Sequence, residues 1–498
     1  MRTPVPFLLL GLAACAAPRG AGTALPLADL AIRDVGVVDV ESGALLPGRT
    51  VLIAGNRIVA VRPADEVRLP AGARVVDGAG RYLVPGLWDM HAHLNGAASD
   101  TARLLPAYLA SGVTGIRDMW SDPPGLAPDS VTGLALIEET RRTRDRVRAG
   151  RLPGPRIVLA SGPLDGPHGP DGYVHVVRSA EEARAVVAAS AAKGVDLIGT
   201  YRWIGPEAYA AAAEAARERG LPLVGLAPVA ATFAELTAAG QRTRDGYLEW
   251  EIACSTVGDS LRAARRELAR RDARDPSAGA EGSMARAHLA ARPRLRETFD
   301  PELCRRAAAG AARSGFWQTP RLVYGRPEAS GGAHGARAAE YLHPEERGAW
   351  QSRVAQVRRD SAGTVSAAAR REREIYRILH AAGIPLLVGT ESYFGSPATW
   401  GFSVHDELVE LVGIGLTPAQ ALRAATLEPA RALGMADSLG TVAPGKLADL
   451  VLLDADPLQD VRNTARIAAV IHDGRLLDRA ALDALLEAVR RSATATAP

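Results

Sequence analysis

Lysine is almost missing from this chain: Lys193 and Lys446 are the only ones among its 498 residues. Aromatic residues are scarce at 5%, which disfavours a surface for stacking nucleic-acid bases. An excess of charge of one sign is also lacking. Lys and Arg total 59 against 56 Asp and Glu, a net charge of +3, so composition offers no case for a nucleic-acid partner. Nor does the N-terminus hold a membrane span. Its apolar stretch, Val5 to Leu12, falls well short of the roughly 20 residues needed to cross a bilayer. What is present is a chain 47% hydrophobic with a mean hydropathy of −0.01, the profile of a soluble globular protein. Its length suffices for one large barrel and a smaller domain.

The first residues read as an address. Arg2 and the apolar stretch after it fit a secretory signal, expected over residues 1–14. Leu12-Ala13-Ala14-Cys15 resembles the lipobox of bacterial lipoproteins, which makes Cys15 the expected lipidation site. Ala16 differs from the aspartate that would resemble an inner-membrane retention signal. The expected location is therefore the periplasmic side of the outer membrane, held by an N-terminal lipid. The alternative is an ordinary signal cleaved near Ala17. Residues 15–26 then read as a tether. Cys254 and Cys304 remain in the mature chain and could pair in an oxidising compartment.

From residue 27 to about 82 the pattern is short alternating runs broken by turns. Leu30 to Val40, Thr50 to Ala54, Arg57 to Val61 and Arg74 to Asp77 read as strands, with Gly55-Asn56 as a turn. After Pro85 strands alternate with helices. Val113 to Asp118, Arg156 to Ala160, Val195 to Ile198, Leu221 to Gly225 and Pro385 to Gly389 are strand candidates. Trp317 to Tyr324 is expected as the seventh strand. Ala180 to Lys193 and Pro206 to Arg219 read as helices. Such alternation argues a parallel βα barrel over residues 83–436. Asp449 to Leu453 and Ala468 to His472 are expected to rejoin the N-terminal β unit, as the second part (437–480) of a small β-sandwich. A C-terminal helix and frayed tail close the chain from 481 to 498.

Pro85 to Leu94 reads as a buried strand ending in His91 and His93. Alternation along a strand points both imidazoles the same way, so at a barrel mouth they could grip one divalent ion together. Arg117 and Asp118 end the second strand and could pair with each other. His405 and Asp406 begin a helix and are expected to cap it. The Arg-rich run from Arg262 to Arg274 reads as a solvated face.

Pro85 to Leu94, Gly389-Thr390-Glu391-Ser392, Leu416 to Thr426 and Pro444 to Leu450 together resemble the metal-dependent amidohydrolase superfamily, nearest its imidazolonepropionase- and prolidase-like branch. The resemblance spans roughly residues 28 to 480. It implies a (β/α)8 TIM-like barrel with a small β-sandwich domain, and hydrolysis of non-peptide or dipeptide C–N bonds by metal-activated water. Proteins of this kind add to the first-strand histidines a carboxylated lysine on strand four, histidines on strands five and six, and an aspartate on strand eight. Here those positions hold Gly199, Leu226, Gly246 and Glu391. His91, His93 and Glu391 remain as the expected ligands of one divalent metal, most simply zinc, or of none, with Glu391 the candidate catalytic carboxylate. His168, on the loop after strand three, and Arg202, after strand four, are candidates for substrate binding.

Two functions follow from this set. One is an exported hydrolase of C–N bonds with weak or absent activity. The other is a catalytically inactive lipoprotein, a possible pseudoenzyme, that binds a small molecule or short peptide in the barrel mouth. A homo-oligomer, or a complex with an intact paralogue, is a further expectation.

Overall fold

The computed structural model describes residues 28–69, 72–94, 101–121, 137–167, 174–274, 284–325, 337–360, 364–393 and 396–494. The expected signal and tether, with Cys15 and His168, lie outside these residues. Among the described residues no helix is long and apolar enough to cross a membrane.

Strands β1 (Leu30–Asp39), β2 (Ala44–Ala54), β3 (Arg57–Pro63), β4 (Arg74–Asp77) and β5 (Tyr82–Pro85) form one eight-stranded sheet with β15 (Leu450–Leu453), β16 (Ile467–His472) and β17 (Arg475–Asp478). The chain ends are joined through β5, which pairs antiparallel with β15 from Leu450 opposite Pro85 to Leu453 opposite Tyr82. Hydrogen bonds link all eight strands into one sheet. Its central strands contribute to two cores: Ile32, Val51 and Ile53 pack with Leu450 and Ile471, while Ala31 and Leu52 pack with Ala28 and Ala60. The twofold alternation of a strand assigns neighbouring residues to these two cores.

The remaining strands run parallel. One ladder holds β6 (Leu87–Ala92), β7 (Val113–Asp118) and β8 (Arg156–Leu159). A second holds β9 (Leu164–Asp165), β10 (His175–Val176), β11 (Ile198–Thr200) and β12 (Leu223–Gly225), and a third holds β13 (Thr243–Asp245) and β14 (Trp317–Thr319). Every residue of β6 and β7 is buried, as expected for strands covered on both faces. Bridges Ala160–Leu197, Gln318–Leu386 and Ala92–Ser392 join the ladders and the segment after Pro385. A 2.8 Å bond from the Arg242 amide to the Leu223 carbonyl links the second ladder to the third. Helices follow the strands, among them Ala180–Ala192, whose first turn is capped by the Ser179 hydroxyl. Helix Pro418–Ala425 opens on a reciprocal cap between Thr417 and Gln420.

Four sequence expectations differ from the structure. The fourth strand lies at Ile198–Thr200, slightly later than expected, and the segment from Pro385 to Gly389 makes bridges without a ladder. The seventh strand stops at Thr319, because Pro320 has no amide hydrogen to continue pairing, and Leu322–Gly325 turns as a 3-10 helix. His405 and Asp406 do not cap helix Ser403–Gly413, whose N-cap is Phe402. His405 is buried instead, 3.0 Å from the Ser111 carbonyl and 2.9 Å from the Thr464 hydroxyl.

Cys254 and Cys304 are disulfide-bonded, fastening the end of helix Leu248–Ala253 to helix Pro301–Ala312. The β8 edge is tied to the eight-stranded sheet by Arg156. Its guanidinium donates to Asp449 at 2.6 Å and to Asp473 at 2.9 Å.

Candidate functional site

The end of β6 brings His91 and His93 to one side, with ring centroids 5.2 Å apart. The third member of the group arrives through Asp89. Its carboxylate accepts from the Thr390 amide at 3.0 Å and the Thr390 hydroxyl at 2.6 Å, clamping the segment after Pro385 onto β6. The Glu391 amide then donates to the His91 carbonyl at 2.7 Å. Its carboxylate spans the two imidazoles: 3.1 Å from His91 Nε2 to Oε2, and 3.2 Å from His93 Nε2 to Oε1. Among the described residues, His91, His93 and Glu391 are the group of His, Cys, Asp and Glu donors close enough to share an ion.

Behind His91 stands Asp245, at the end of β13, 2.8 Å from Nδ1. Asp245 is in turn gripped by Arg117, whose Nη2 donates at 3.0 and 3.1 Å to the two carboxylate oxygens. Arg117 therefore reaches across to β13, and the expected pairing with Asp118 does not form. Asp118 accepts instead from the Leu94 amide and the Ser121 hydroxyl. Burial pushes Asp245 upward, but Arg117 and His91 outweigh it and hold the carboxyl well below the usual range. An ionised Asp245 accepts only, so His91 Nδ1 donates to it and Nε2 keeps its lone pair toward Glu391. Burial first, then the nearby Arg321 guanidinium, pushes His91 down to about 4, and His93 is likewise held well below its usual value, burial again leading. Both rings are therefore neutral at pH 7. His93 lies against Trp120, with centroids 4.5 Å apart, and its Nδ1 has no partner among the described residues.

A lone pair on His91 and a carboxylate on Glu391 thus converge at contact distance, an arrangement that requires a cation between or beside them. The sequence offered His91, His93 and Glu391 as holders of a metal. The structure supplies a cation of its own. Arg321 Nη1 donates to Glu391 Oε2 and lies 3.5 Å from His91 Nε2. An ion bonded to both of those atoms at about 2.1 Å would sit within about 4 Å of that guanidinium nitrogen. Repulsion between +2 and +1 at that range is about 8 kcal/mol with an effective dielectric of about 20. The donor set is right in type and spacing for one divalent ion, but with Arg321 where it stands the site does not fit one.

The positions where ligands were expected and not found are also filled. A Cβ on Gly199 would meet the Ser161 carbonyl at 3.0 Å and Pro163 at 3.3 Å, so the loop after β8 occupies the lysine's path. Gly246 has φ +80°, and a Cβ there would lie 2.7 Å from Arg321 Nη2. Leu226 lines the cavity beside them. That cavity, about 400 Å³, has Arg321 and Glu391 in its wall together with Trp120, Tyr201, Arg202, Tyr247, Tyr324 and Tyr393. Arg202 stacks over the Tyr201 ring at 4.6 Å and donates to the Tyr201 hydroxyl at 2.9 Å. Another cavity, about 290 Å³, lies at the start of β8 near Arg156 and His472 and touches none of this chemistry.

Sequence reasoning placed His91, His93, Glu391 and Arg202 around one cavity mouth; it missed Arg321, Asp245 and the clamp at Asp89. Arg321 follows Pro320 at the end of the expected seventh strand, and Asp245 directly precedes the expected ligand position Gly246. Strand-end position was the signal available for both.

Known proteins resemble this chain in part of its sequence and in its fold. Residues 335–477 match the family model described as "Amidohydrolase family". Among curated proteins, adenine deaminase 3 of Rhizobium meliloti (strain 1021) is 37% identical over 111 residues, 22% of this chain and 18% of the relative. The adenine deaminase of Rubrobacter xylanophilus is 39% identical over 88 residues, 18% of this chain and 14% of the relative. The chain therefore matches less than a fifth of the length of these relatives. Among solved structures, bottromycin amidohydrolase aligns with a TM-score of 0.64 at 24% identity, covering 93% of this chain and 90% of that one. A Xaa-Pro dipeptidase with bound methionine in its active site gives 0.61 at 18% identity, covering 90% of this chain and 99% of that one. At such identities the likeness is one of fold. Residues 335–477 match that family model, and the chain is similar in fold to these two solved structures.

Proposed function

We propose that this chain is an amidohydrolase-type protein that takes small amides or dipeptides into its mouth cavity and hydrolyses their C–N bonds weakly or not at all. In this reading the three parallel ladders and the segment after Pro385 close into one eight-stranded barrel over residues 83–436. The cavity then stands at the C-terminal ends of its strands, where such barrels do their chemistry. One observation carries the reading: Glu391, between two neutral imidazoles, opens onto an aromatic- and arginine-lined cavity of about 400 Å³. Tyr201, Tyr324 and Tyr393 supply flat apolar area with hydroxyl edges, and Arg202 supplies a charge for a carboxylate or carbonyl. The low turnover rests on Gly199, Leu226 and Gly246, which leave too few donors for the two-metal arrangement the resemblance implies.

The test is a panel of N-acyl amides, cyclic amides and dipeptides, scored for binding by calorimetry and for hydrolysis by released amine. Binding of at least one member with turnover far below ~1 s⁻¹ is expected, since ordinary enzymes work at or above that rate. Turnover at ordinary rates, abolished by Glu391→Gln, would refute weak activity. Failure of the whole panel to bind would refute the cavity assignment.

A second reading, a working hydrolase with one metal, requires Arg321 to be displaced from where it stands and draws its support from the Asp245–His91 bond. Metal-ligating histidines are commonly oriented by just such a carboxylate. Metal content separates it from the first reading.

We further propose that the protein is exported and lipid-anchored through Cys15, with residues 1–14 removed. The paired Cys254 and Cys304 suit an oxidising compartment. Incorporation of labelled palmitate that is lost in Cys15→Ala supports the anchor; label retained in that variant refutes it.

A further inference from the structure

Arg321 and Glu391 share an unusual backbone feature. Four described residues other than glycine have positive φ: Asp34, Arg321, Glu391 and Asp473. Two of them, Arg321 at +60° and Glu391 at +59°, are ion-paired to each other inside the site. Left-handed backbone is disfavoured for such residues and persists where the surroundings over-determine it, most often at functional sites. Both side chains are aimed inward by that backbone and are largely buried, at 15% and 13% exposure. Pro320 ends β14 one residue earlier, which releases Arg321 from the strand. Gly246, with no side chain, leaves the space that Arg321 Nη2 enters. Three independent local features therefore deliver one guanidinium to one spot, beside the His91 Nε2 atom and the Glu391 carboxylate.

We propose that the Arg321 guanidinium is the resident cation of this site, occupying the space between His91, Glu391 and Gly246 and so excluding a divalent metal ion from the His91–His93–Glu391 donors. The inference does not depend on which substrate the cavity takes. A guanidinium is a fixed, planar cation with five donors, so it can satisfy the carboxylate without tetrahedral ligands. It cannot act as a Lewis acid. The donors that remain from a metal centre serve, in this arrangement, as an acceptor set for an internal arginine.

The experiment compares the full chain with Arg321→Gly and Arg321→Gln. Glycine suits the left-handed backbone at 321 and removes the cation, and glutamine keeps part of the side-chain volume without charge. Each protein is equilibrated with zinc, desalted and assayed for metal by mass spectrometry, with thermal melts in zinc or methylguanidinium alongside. Wild type is expected to hold far less than one zinc per chain. Arg321→Gly should bind one, lose it when His91→Ala is added, and be stabilised by zinc or by methylguanidinium where wild type is by neither. Wild type that retains one zinc per chain, released by His91→Ala, overturns the proposal. So do folded Arg321→Gly and Arg321→Gln proteins that both fail to bind zinc. If neither variant folds, wild-type metal content decides alone. Binding of amides to the cavity is a separate readout, so failure of the proposed function leaves this result intact.

Discussion

Replacing Arg117 with methionine tests whether the buried support of His91 is a genuine ion pair. Arg117 is fully buried. Its Nε donates to the Met90 carbonyl at 2.6 Å, Nη1 to the Thr243 hydroxyl at 2.5 Å, and Nη2 to both oxygens of Asp245. Methionine fills much of the volume and supplies no donor. The variant strands the ionised Asp245 in the interior, with only His91 Nδ1 as a close side-chain partner. Breaking a buried pair from one side costs about 3–5 kcal/mol, most of it the unpaired charge. Asp245→Asn removes that charge while keeping an acceptor for His91. The double variant Arg117→Met/Asp245→Asn should therefore recover about 1–3 kcal/mol of the loss. Urea unfolding followed by tryptophan fluorescence gives both values from midpoint shifts at constant slope. An Arg117→Met protein within about 1 kcal/mol of wild type, or a double variant no more stable than the single, would refute this account.

Two further outcomes follow from other parts of the molecule. The Cys254–Cys304 bond closes a loop with a sequence separation of 50, and chain entropy assigns such a crosslink about 4 kcal/mol; Cys254→Ala/Cys304→Ala should unfold at clearly lower urea than the oxidised protein, and equal midpoints would show that the bond contributes nothing. Burial raises Asp449, but His472 and Arg156 prevail and leave its carboxyl well below the ordinary value, so its contribution is complete above the unfolded pKa near 4 and is lost as pH falls through the folded one. Asp449→Asn should accordingly destabilise at pH 7 and flatten the acid limb of the stability profile, and an unchanged acid limb would remove Asp449 from the account.

Several elements were legible because a local pattern was enough to specify them. β1 and β7 lie almost where alternation placed them, and helices Ala180–Ala192 and Pro206–Glu218 match their periodic runs to within a residue. The return of β15 and β16 to the N-terminal sheet was also readable, from strand pattern and from the resemblance. The fourth strand was read early because the register between ladders is set by single contacts, such as the bond from the Gly199 amide to the Ser161 hydroxyl, which no local pattern carries. His405 was misread for a related reason: its partners, Ser111 and Thr464, are 294 and 59 residues away.

The sequence by itself determined that two histidines two residues apart on one strand share a face, and that Gly199, Leu226 and Gly246 bring no ligand to them. The first conclusion depends on strand periodicity; the second depends on the resemblance, which names the positions, and on the residue types that stand there. The tertiary structure alone decided what stands in the space so left. Arg321 is 230 residues from His91, and Asp245 is 154. Their convergence requires β6, β13 and β14 to end at one mouth, Pro320 to break the last of these, and a glycine at 246 to leave room. A guanidinium finds a carboxylate through space, and only the folded chain brings the two together.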